Sequence, residues 1–210
     1  MLVFDLNGTL TDPAAIGRPW QMPDLGVAVL AAAVQSAMVD AILRSSRAFT
    51  DHIQAALRDE VGRRGLDPAR IDEAMEAAAA LPAYPDTAPG LEALAGAGHR
   101  LVVLTNSGAD AGRRTLEANG LADRFERILG VDAIGSFKPH PSVYRYALDE
   151  LGCDPETITF VSAHPWDLAG AAHAGMGTAF LMRDEPWASA YPRPDLEAGD
   201  LPGIAAALSG

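Results

Sequence analysis

The chain has 210 residues, of which 49% are hydrophobic and 21% are charged, and it carries a formal net charge of −12. With a mean hydropathy of +0.06, this composition is typical of a globular protein and excludes a disordered chain. The negative charge disfavours nucleic acid and anionic membranes as partners, so we expect a small-molecule substrate.

The cysteine content and the first residues bear on location. Cys153 is the only cysteine, which excludes an internal disulfide and a thiolate metal cluster built from this chain alone. The first residues lack a basic leader and reach an acidic residue at Asp5, which disfavours a signal peptide. The longest apolar stretch, residues 25–34, is shorter than the roughly 20 residues that cross a bilayer. We therefore expect a cytoplasmic protein without a membrane span.

Continuous apolar runs predict buried strands of the kind found in parallel sheets that are covered on both faces. The predicted strands are residues 2–4, 101–104, 157–161 and 178–182. They end in polar loops, the last of which is Arg183-Asp184-Glu185. Helices are predicted at residues 90–97, 111–119, 142–151 and 167–174. This alternation indicates an α/β fold with a doubly wound parallel sheet, which binds ligands where loops leave the carboxyl ends of the strands.

Residues 15–82 follow a different pattern. They show helical periodicity, for example at Ile53, Ala56, Leu57 and Val61, and contain no convincing strand. We interpret this segment as a helical cap inserted into a core formed by residues 1–14 and 83–210.

Asp5 stands directly after the first predicted strand and is followed by Gly8 and Thr9. We expect the backbone N–H groups of Gly8 and Thr9 to be free to hold an anion, which would make Asp5 an aligned carboxylate nucleophile. The alternative is that Asp5 only caps a turn, because carboxylates are common in turns.

Four ordered segments favour the nucleophile. They are Phe4-Asp5-x-x-Gly8-Thr9-Leu10, Leu104-Thr105-Asn106-Ser107, Phe137-Lys138-Pro139-x-Pro141-x-x-Tyr144 and Phe160-Val161-Ser162-x-x-x-x-Asp167. In type and order they resemble the four motifs of the haloacid dehalogenase superfamily. The resemblance covers nearly the whole chain and implies a Rossmann-like core, a helical cap and Asp5 as the nucleophile.

Two positions distinguish subfamilies. The resemblance places Asn7 where phosphatases carry an aspartate that protonates the leaving alkoxide, and an amide cannot donate that proton. The segment from Ser162 to Asp167 is similar to the Ser-x-Asn-x-x-Asp of L-2-haloacid dehalogenases, which work without a metal, with His164 in place of the asparagine. We therefore expect no cofactor, and Mg²⁺ only if the chain is a phosphatase.

The resemblance also implies roles for the other site residues. Lys138 would neutralise Asp5, Asp167 and a substrate anion, with a surface lysine as the alternative. Asp167 would activate or orient the hydrolytic water, and Ser162 would help to hold it. The candidate catalytic residues are Asp5, Lys138, Ser162 and Asp167.

The candidate substrate-binding residues are Asn7, Thr9, Thr105, Asn106, Tyr144 and His164. Several have a structural alternative. Thr105 and Asn106 can cap a turn before the next helix, Tyr144 can be a core aromatic residue, and His164 can bind a backbone carbonyl.

One departure concerns the cap. L-2-haloacid dehalogenases carry an arginine there that receives the departing halide, and alignment places Val34 at that position. Arg18, Arg44 or Arg47 could supply a substitute charge, but arginine is usually exposed to solvent.

The sequence therefore predicts a hydrolase that forms an ester on Asp5 and acts on a small 2-haloacid. Two alternatives are an Mg²⁺-dependent phosphatase and a catalytically silent small-molecule binding relative, the latter suggested by Val34 and His164. A homodimer is also an expectation from the family.

Overall fold

The computed structural model describes residues 1–45, 47–183 and 185–208. Asp184, which the sequence places in the loop after the fourth predicted strand, lies outside the described residues, as do residues 209–210 of the predicted core. Within the described residues, parallel strands form one sheet in the order β3-β2-β1-β4-β5-β6. The strands are β1 (Leu2–Phe4), β2 (Leu101–Thr105), β3 (Arg127–Gly130), β4 (Thr159–Ser162), β5 (Gly177–Leu181) and β6 (Leu196–Ala198).

Helices flank this sheet and fill the segment between β1 and β2. The α-helices of the described residues are α1 (Pro23–Leu43), α2 (Phe49–Arg64), α3 (Ile71–Ala79), α4 (Thr87–Gly96), α5 (Ala109–Ala118), α6 (Pro141–Leu151), α7 (Pro165–His173) and α8 (Leu201–Leu208). Short 3-10 helices are Pro13–Trp20, Pro68–Arg70, Ala122–Arg124, Val131–Ala133 and Pro155–Thr157.

The sheet is covered on both faces, as the continuous apolar runs predict. In β1, Val3 points to the face packed by α6 and α7, whereas Leu2 and Phe4 point to the face packed by α4, α5 and α8. All three side chains are buried. The predicted doubly wound parallel sheet is confirmed.

β3, β6 and α8 were not predicted from the sequence, and the strand predicted at residues 157–161 begins two residues later in the structure. Thr157 and Ile158 belong to a 3-10 turn and its end rather than to a strand, so β4 begins at Thr159. β3 and β6 have few apolar residues and lie at the two edges of the sheet. Such short edge strands form because β2 and β5 offer backbone hydrogen bonds, which no local pattern reveals.

The predicted cap contains α1, α2 and α3, and no strand is present among residues 13–79 of the described chain. The two connections to the sheet lie side by side, with an antiparallel bridge between Thr11 and Ala83. Ile53, Ala56, Leu57 and Val61 all lie on the buried side of α2. The boundaries 15 and 82 stay a prediction.

α1 is longer than the apolar run in the sequence suggests. It has 21 residues, and by length and composition alone it is the one helix of the described residues that could cross a membrane. Half of its most apolar window is buried inside the protein. The helix packs against α2 and against the 3-10 helix Pro13–Trp20.

Candidate active site

The carboxyl ends of β1 and β4 bring the first and fourth motifs together. These strands are neighbours, with Phe4 paired to Val161, and the strand order reverses between them. Asp5 therefore emerges beside Ser162. This is the topological switch point, where sheets of this kind form their binding crevice.

Lys138 lies between the two acidic residues of the site. It is the only lysine in the chain and is fully buried. Its Nζ donates to Asp5 Oδ1 at 2.8 Å and to Asp167 Oδ2 at 2.8 Å. The predicted cluster of Asp5, Lys138 and Asp167 is thus assembled, and the alternative of a surface lysine is wrong.

Burial and charge act in opposite directions on this cluster. Burial raises the pKa of Asp5, but the charges of Lys138 and His164 outweigh it and hold that pKa below its usual value. For Asp167, burial and the nearby Asp5 charge prevail over Lys138, so its pKa is raised. The two carboxylates in turn raise the pKa of Lys138 despite its burial. At neutral pH the site therefore holds an ionised Asp5 carboxylate beside the Lys138 ammonium group.

The loop after Asp5 differs from the sequence expectation. The N–H of Gly8 donates to Thr11 O at 2.8 Å, and the N–H of Thr9 donates to Leu6 O at 3.3 Å. These N–H groups are engaged in the turn and are not free for an anion. It is the Thr9 hydroxyl that contacts Asp5, donating to Oδ2 at 2.7 Å.

Asp167 is held from two further sides. Tyr144 donates its hydroxyl to Asp167 Oδ1 at 2.6 Å, and Ser162 donates to Oδ2 at 3.4 Å. Burial and the Asp167 charge raise the pKa of Tyr144 well above its usual value, so the phenol remains a donor. Tyr144 lies behind Asp167 and supports it, while Ser162 lies at the end of β4.

Thr105 and Asn106 end β2 at the same edge of the sheet. The Thr105 hydroxyl accepts from the N–H of Ser107 at 3.1 Å, which is the turn contact considered as the alternative. Asn106 Oδ1 accepts from the backbone N–H of Lys138 at 2.9 Å and so fixes the lysine loop. Both residues also line the cavity at Asp5.

His164 is the most unusual residue of the site. Its Nδ1 lies 2.7 Å from Glu185 Oε2, and its Nε2 lies 3.1 Å from the carbonyl of Asn7 and 3.8 Å from Asp5 Oδ2. Burial lowers the pKa of His164, but Glu185 and Asp5 outweigh it and raise the pKa to about 9. Trp166 stacks on the ring, with centroids 5.2 Å apart. His164 therefore both binds a backbone carbonyl and places a positive charge beside Asp5.

Gly8 is required by the close approach of this ring. It has a φ of +85°, and a Cβ atom there would lie 2.7 Å from His164 Nε2 and 3.2 Å from Leu30 Cδ2. The site, the histidine and α1 meet at this glycine.

A cavity of about 10 Å³ lies against Asp5. Besides Asp5, its walls are Asn7, Leu30, Val34, Phe49, Thr105, Asn106, His164 and Trp166. Val34 thus faces the site. This is the position at which the resemblance to L-2-haloacid dehalogenases predicts an arginine. Arg18, Arg44 and Arg47 do not line this cavity. Arg47 forms an ion pair with the buried Asp40 inside the cap.

The oxygen atoms of this cluster that could ligate a divalent ion are already engaged in hydrogen bonds. Asn7 O is hydrogen-bonded by His164, and both carboxylates are bonded by Lys138 and by hydroxyl groups. Mg²⁺ prefers several free oxygen ligands in octahedral geometry. No group of three or more His, Cys, Asp or Glu side chains in the described ranges is arranged to hold a metal.

Three residues that shape the site, Glu185, Trp166 and Phe49, were not predicted from the sequence. Glu185 is 21 residues from His164 along the chain and reaches it from the loop after β5. Phe49 opens α2 and comes from the cap. The sequence did offer a signal for Trp166, because this large aromatic residue lies within the fourth motif, only two positions after His164.

The fold and the site together define the class of protein. The family model for haloacid dehalogenase-like hydrolases matches residues 1–175, and the chain belongs to this family. The resemblance seen in the four motifs is confirmed.

Among individual proteins, the chain is similar to (S)-2-haloacid dehalogenases. It is 36% identical over 121 residues to (S)-2-haloacid dehalogenase 4A of Burkholderia cepacia, covering 58% of this chain but only 51%, about half, of that protein. It is 31% identical to the (S)-2-haloacid dehalogenase of Pseudomonas sp. strain YL, covering 87% of this chain and 82% of that protein. A dehalogenase crystal structure superimposes with a TM-score of 0.92 at 27% identity, covering 100% of this chain and 96% of the other.

The similarity also extends to phosphatases. The phosphoglycolate phosphatase of Neisseria gonorrhoeae is 30% identical, with 97% of this chain and 90% of that protein covered. Sequence similarity places the chain in the family, whereas the choice of reaction depends on the site.

Proposed function

We propose that the chain is a cytoplasmic hydrolase that forms a covalent ester on Asp5 and removes halide from 2-haloacids. The observation that carries this proposal is the Lys138 ammonium between Asp5 and Asp167, at 2.8 Å from each. It keeps Asp5 ionised while the apolar walls of Leu30, Val34 and Phe49 exclude bulk water.

In the first step, a carboxylate oxygen of Asp5 attacks the saturated carbon that bears the halogen. A carbon–oxygen bond forms, and the carbon–halogen bond breaks with its electron pair leaving on the halide. No proton is needed, so an amide at Asn7 is compatible with this chemistry. Splitting one displacement into two easier steps is the advantage of covalent catalysis.

In the second step, water attacks the ester carbonyl carbon of Asp5 and forms a new carbon–oxygen bond. The bond from that carbon to the substrate oxygen then breaks, the 2-hydroxy acid leaves with one water proton on its oxygen, and the Asp5 carboxylate is restored as the other proton passes to solvent. Asp167 is the proposed acceptor of the water proton, and its raised pKa suits that role. The N–H groups of Gly8 and Thr9 are engaged in the turn, so they do not stabilise the developing oxyanion. We assign that role to Lys138, whose ammonium group donates to Asp5 Oδ1. Ser162 helps to hold the water.

We further propose that His164 supplies the positive charge on the substrate side of Asp5. Lys138 is already bonded to two carboxylates, and among the described residues His164 is the one cationic side chain that lines the cavity. With Val34 at the cap position, the imidazolium would face the substrate carboxylate or the departing halide. Asn7, Thr105 and Asn106 complete the polar wall.

The proposal is tested by measuring halide release from a panel of 2-halocarboxylates, with and without chelator. We expect release that chelator does not change. A single turnover in heavy-oxygen water, followed by mass spectrometry of the peptide that carries Asp5, should place the heavy oxygen in the Asp5 carboxylate. Direct attack of water on the substrate would leave that peptide unlabelled and would sink the ester mechanism.

The similarity to a phosphatase over 97% of the chain supports a second candidate, an Mg²⁺-dependent phosphatase with Asp5 as phosphoryl acceptor. Phosphate release that chelator abolishes, without halide release, would favour it. Ligand binding without turnover would favour the silent binding relative. A homodimer and the absence of nucleic-acid and membrane partners also remain proposals, and sedimentation analysis tests the dimer.

A further inference from the structure

A second cavity adjoins the one at Asp5. It has a volume of about 640 Å³ and lies between α1 and the loops that follow β1, β4 and β5. The two cavities share four walls, namely Leu30, Val34, His164 and Trp166. The volume falls within the roughly 300–1,000 Å³ of ordinary small-molecule sites.

One face of α1 lines this second cavity with apolar side chains. Val27, Leu30, Ala31, Val34 and Met38 stand at helical spacing and therefore project in the same direction. Part of the unusual hydrophobicity of α1 is thus directed toward the cavity.

The charged side chains on the opposite wall are already paired. Arg183 forms an ion pair with Asp86 at 2.9 Å, and Glu185 lies 2.7 Å from His164. The same holds for Glu60 and Arg63 at the far end, which are paired at 2.6 Å. Since these charges neutralise one another, the cavity suits an uncharged, apolar occupant.

The cavity at Asp5 is far smaller. Its volume of about 10 Å³ corresponds to roughly one water molecule. A substrate whose reacting carbon lies at Asp5 must therefore extend its remaining atoms elsewhere. The second cavity is the adjacent space, because four side chains line both cavities.

We infer that the second cavity binds an apolar hydrocarbon substituent on the carbon that Asp5 attacks. The preferred substrates are then 2-haloacids with an extended alkyl chain rather than the shortest acids. This inference rests on the proposed dehalogenation and names the substrate class of the same site.

The first experiment measures halide release along the series of straight-chain 2-bromo acids from propionic to octanoic acid. Each buried methylene should raise kcat/KM roughly fourfold until the cavity is full. Release that is flat or falls along the series would overturn the inference while leaving the dehalogenation intact.

A substitution that fills the second cavity tests the inference directly. Ala31 is exposed on the cavity wall of α1, so Ala31→Phe occupies cavity space with little effect on folding. It should remove most of the gain from octanoic over propionic acid. Ala55→Phe makes the same change at an exposed alanine of α2 that lines no described cavity, and it should keep the wild-type ratio. An unchanged ratio in Ala31→Phe would contradict the inference.

A second experiment separates this inference from the proposed function. Calorimetry measures the binding of halogen-free carboxylates from propionate to octanoate to the wild type and both variants. Affinity that rises with chain length, and loses this rise in Ala31→Phe, supports the cavity even if no halide is released from any acid. Affinity independent of chain length in the wild type overturns it.

Discussion

The two sides of the active site are built on different principles. On the core side, Asp5, Lys138 and Asp167 are buried and joined by hydrogen bonds of 2.8 Å. On the cap side, Leu30 and Val34 offer only apolar surface. In the proposed reaction, the core side sets the protonation states and the direction of attack, and the cap side selects the substrate by shape and hydrophobicity.

His164 lies where the two sides meet. It bonds to Glu185 and to the carbonyl of Asn7 on the core side, and its ring stacks on Trp166, which lines both cavities. In the proposed reaction, the His164 imidazolium can therefore act on the substrate although it is not hydrogen-bonded to Lys138 or Asp167. In the proposed reaction, the residues that carry the chemistry and the apolar residues that contact the rest of the substrate therefore lie on different elements of the fold.

The largest effect is expected from the nucleophile. Asp5→Asn should lower halide release by roughly 10⁴-fold or more, because an amide cannot attack the carbon. Asp149→Asn makes the same change on the exposed face of α6 and should keep full activity. Steady-state halide assays compare the two variants. Activity of Asp5→Asn within tenfold of the wild type would remove Asp5 from the role of nucleophile.

The core side was largely predictable from the sequence, because its residues belong to short motifs that follow a buried apolar strand or contain closely spaced prolines. Lys138 is an example, since its position before Pro139 indicated a site residue rather than a solvated one. The prediction that the N–H groups of Gly8 and Thr9 are free was wrong, because they donate to Thr11 O and Leu6 O within the turn. Such turn closure depends on φ values that residue types only partly determine.

The cap side was much less predictable. Phe49 reaches the site from α2, and only the packing of that helix brings it there. Glu185, on the core side, was missed for the same reason, because only the packing of the loop after β5 brings it to His164. An apolar residue that lines a cavity also cannot be distinguished in the sequence from one that packs in the core, and Val34 is an example. The strands β3 and β6 were missed for a related reason, as their partners in the sheet stabilise them.

The second prediction tests the charge balance of the core side. Lys138→Met should destabilise the fold by about 3–5 kcal/mol, because two buried carboxylates lose their partner. Their pKa values should then rise above the unfolded values, so the variant gains stability as the pH falls through them. The wild type has the opposite Asp5 contribution, which is lost as the pH falls through the lowered pKa of Asp5. Chemical denaturation between about pH 5 and pH 8 measures the trend in the variant. The wild-type contribution of Asp5 is constant in that range and is lost only below the usual aspartate pKa of 3.8, so its measurement extends to acid pH.

Arg145→Met is the matched control for this variant. It removes a cation from the exposed side of α6 and should change stability by less than about 0.5 kcal/mol. Because Lys138 is the only lysine, protein labelled at lysine gives a single side-chain NMR signal. That signal should remain that of an ammonium group above the usual lysine pKa. Deprotonation below it would contradict the bridged geometry.

The third prediction concerns the boundary between the two sides. The pKa of His164 is raised to about 9 from 6.5, so its contribution to stability is full below pH 6.5 and is lost as the pH rises through about 9. Its size is about 3 kcal/mol. Glu185→Gln should lower the His164 pKa and shrink this loss, whereas Glu156→Gln, at an exposed position, should not. Histidine NMR titration and denaturation at each pH provide the readouts. A His164 pKa that Glu185→Gln leaves in place would show that this pair does not set the charge.

The smallest effect is expected at Tyr144. Its hydroxyl bonds to the carbonyl and to Oδ1 of Asp167, while its ring packs against Gly170, where a Cβ atom would lie 2.5 Å from Tyr144 Cε2. Tyr144→Phe keeps that packing and should cost about 1.5–3 kcal/mol, the range for hydrogen bonds to charged groups. It should also raise the pKa of Asp167 further, since the lost hydrogen bond favoured the ionised form. Tyr146→Phe, half-buried on the same helix, is the control and should change stability by less than about 0.5 kcal/mol. Equal stability losses in the two variants would mean that the Tyr144–Asp167 contact does not stabilise the core side, and that Lys138 and Ser162 hold this carboxylate.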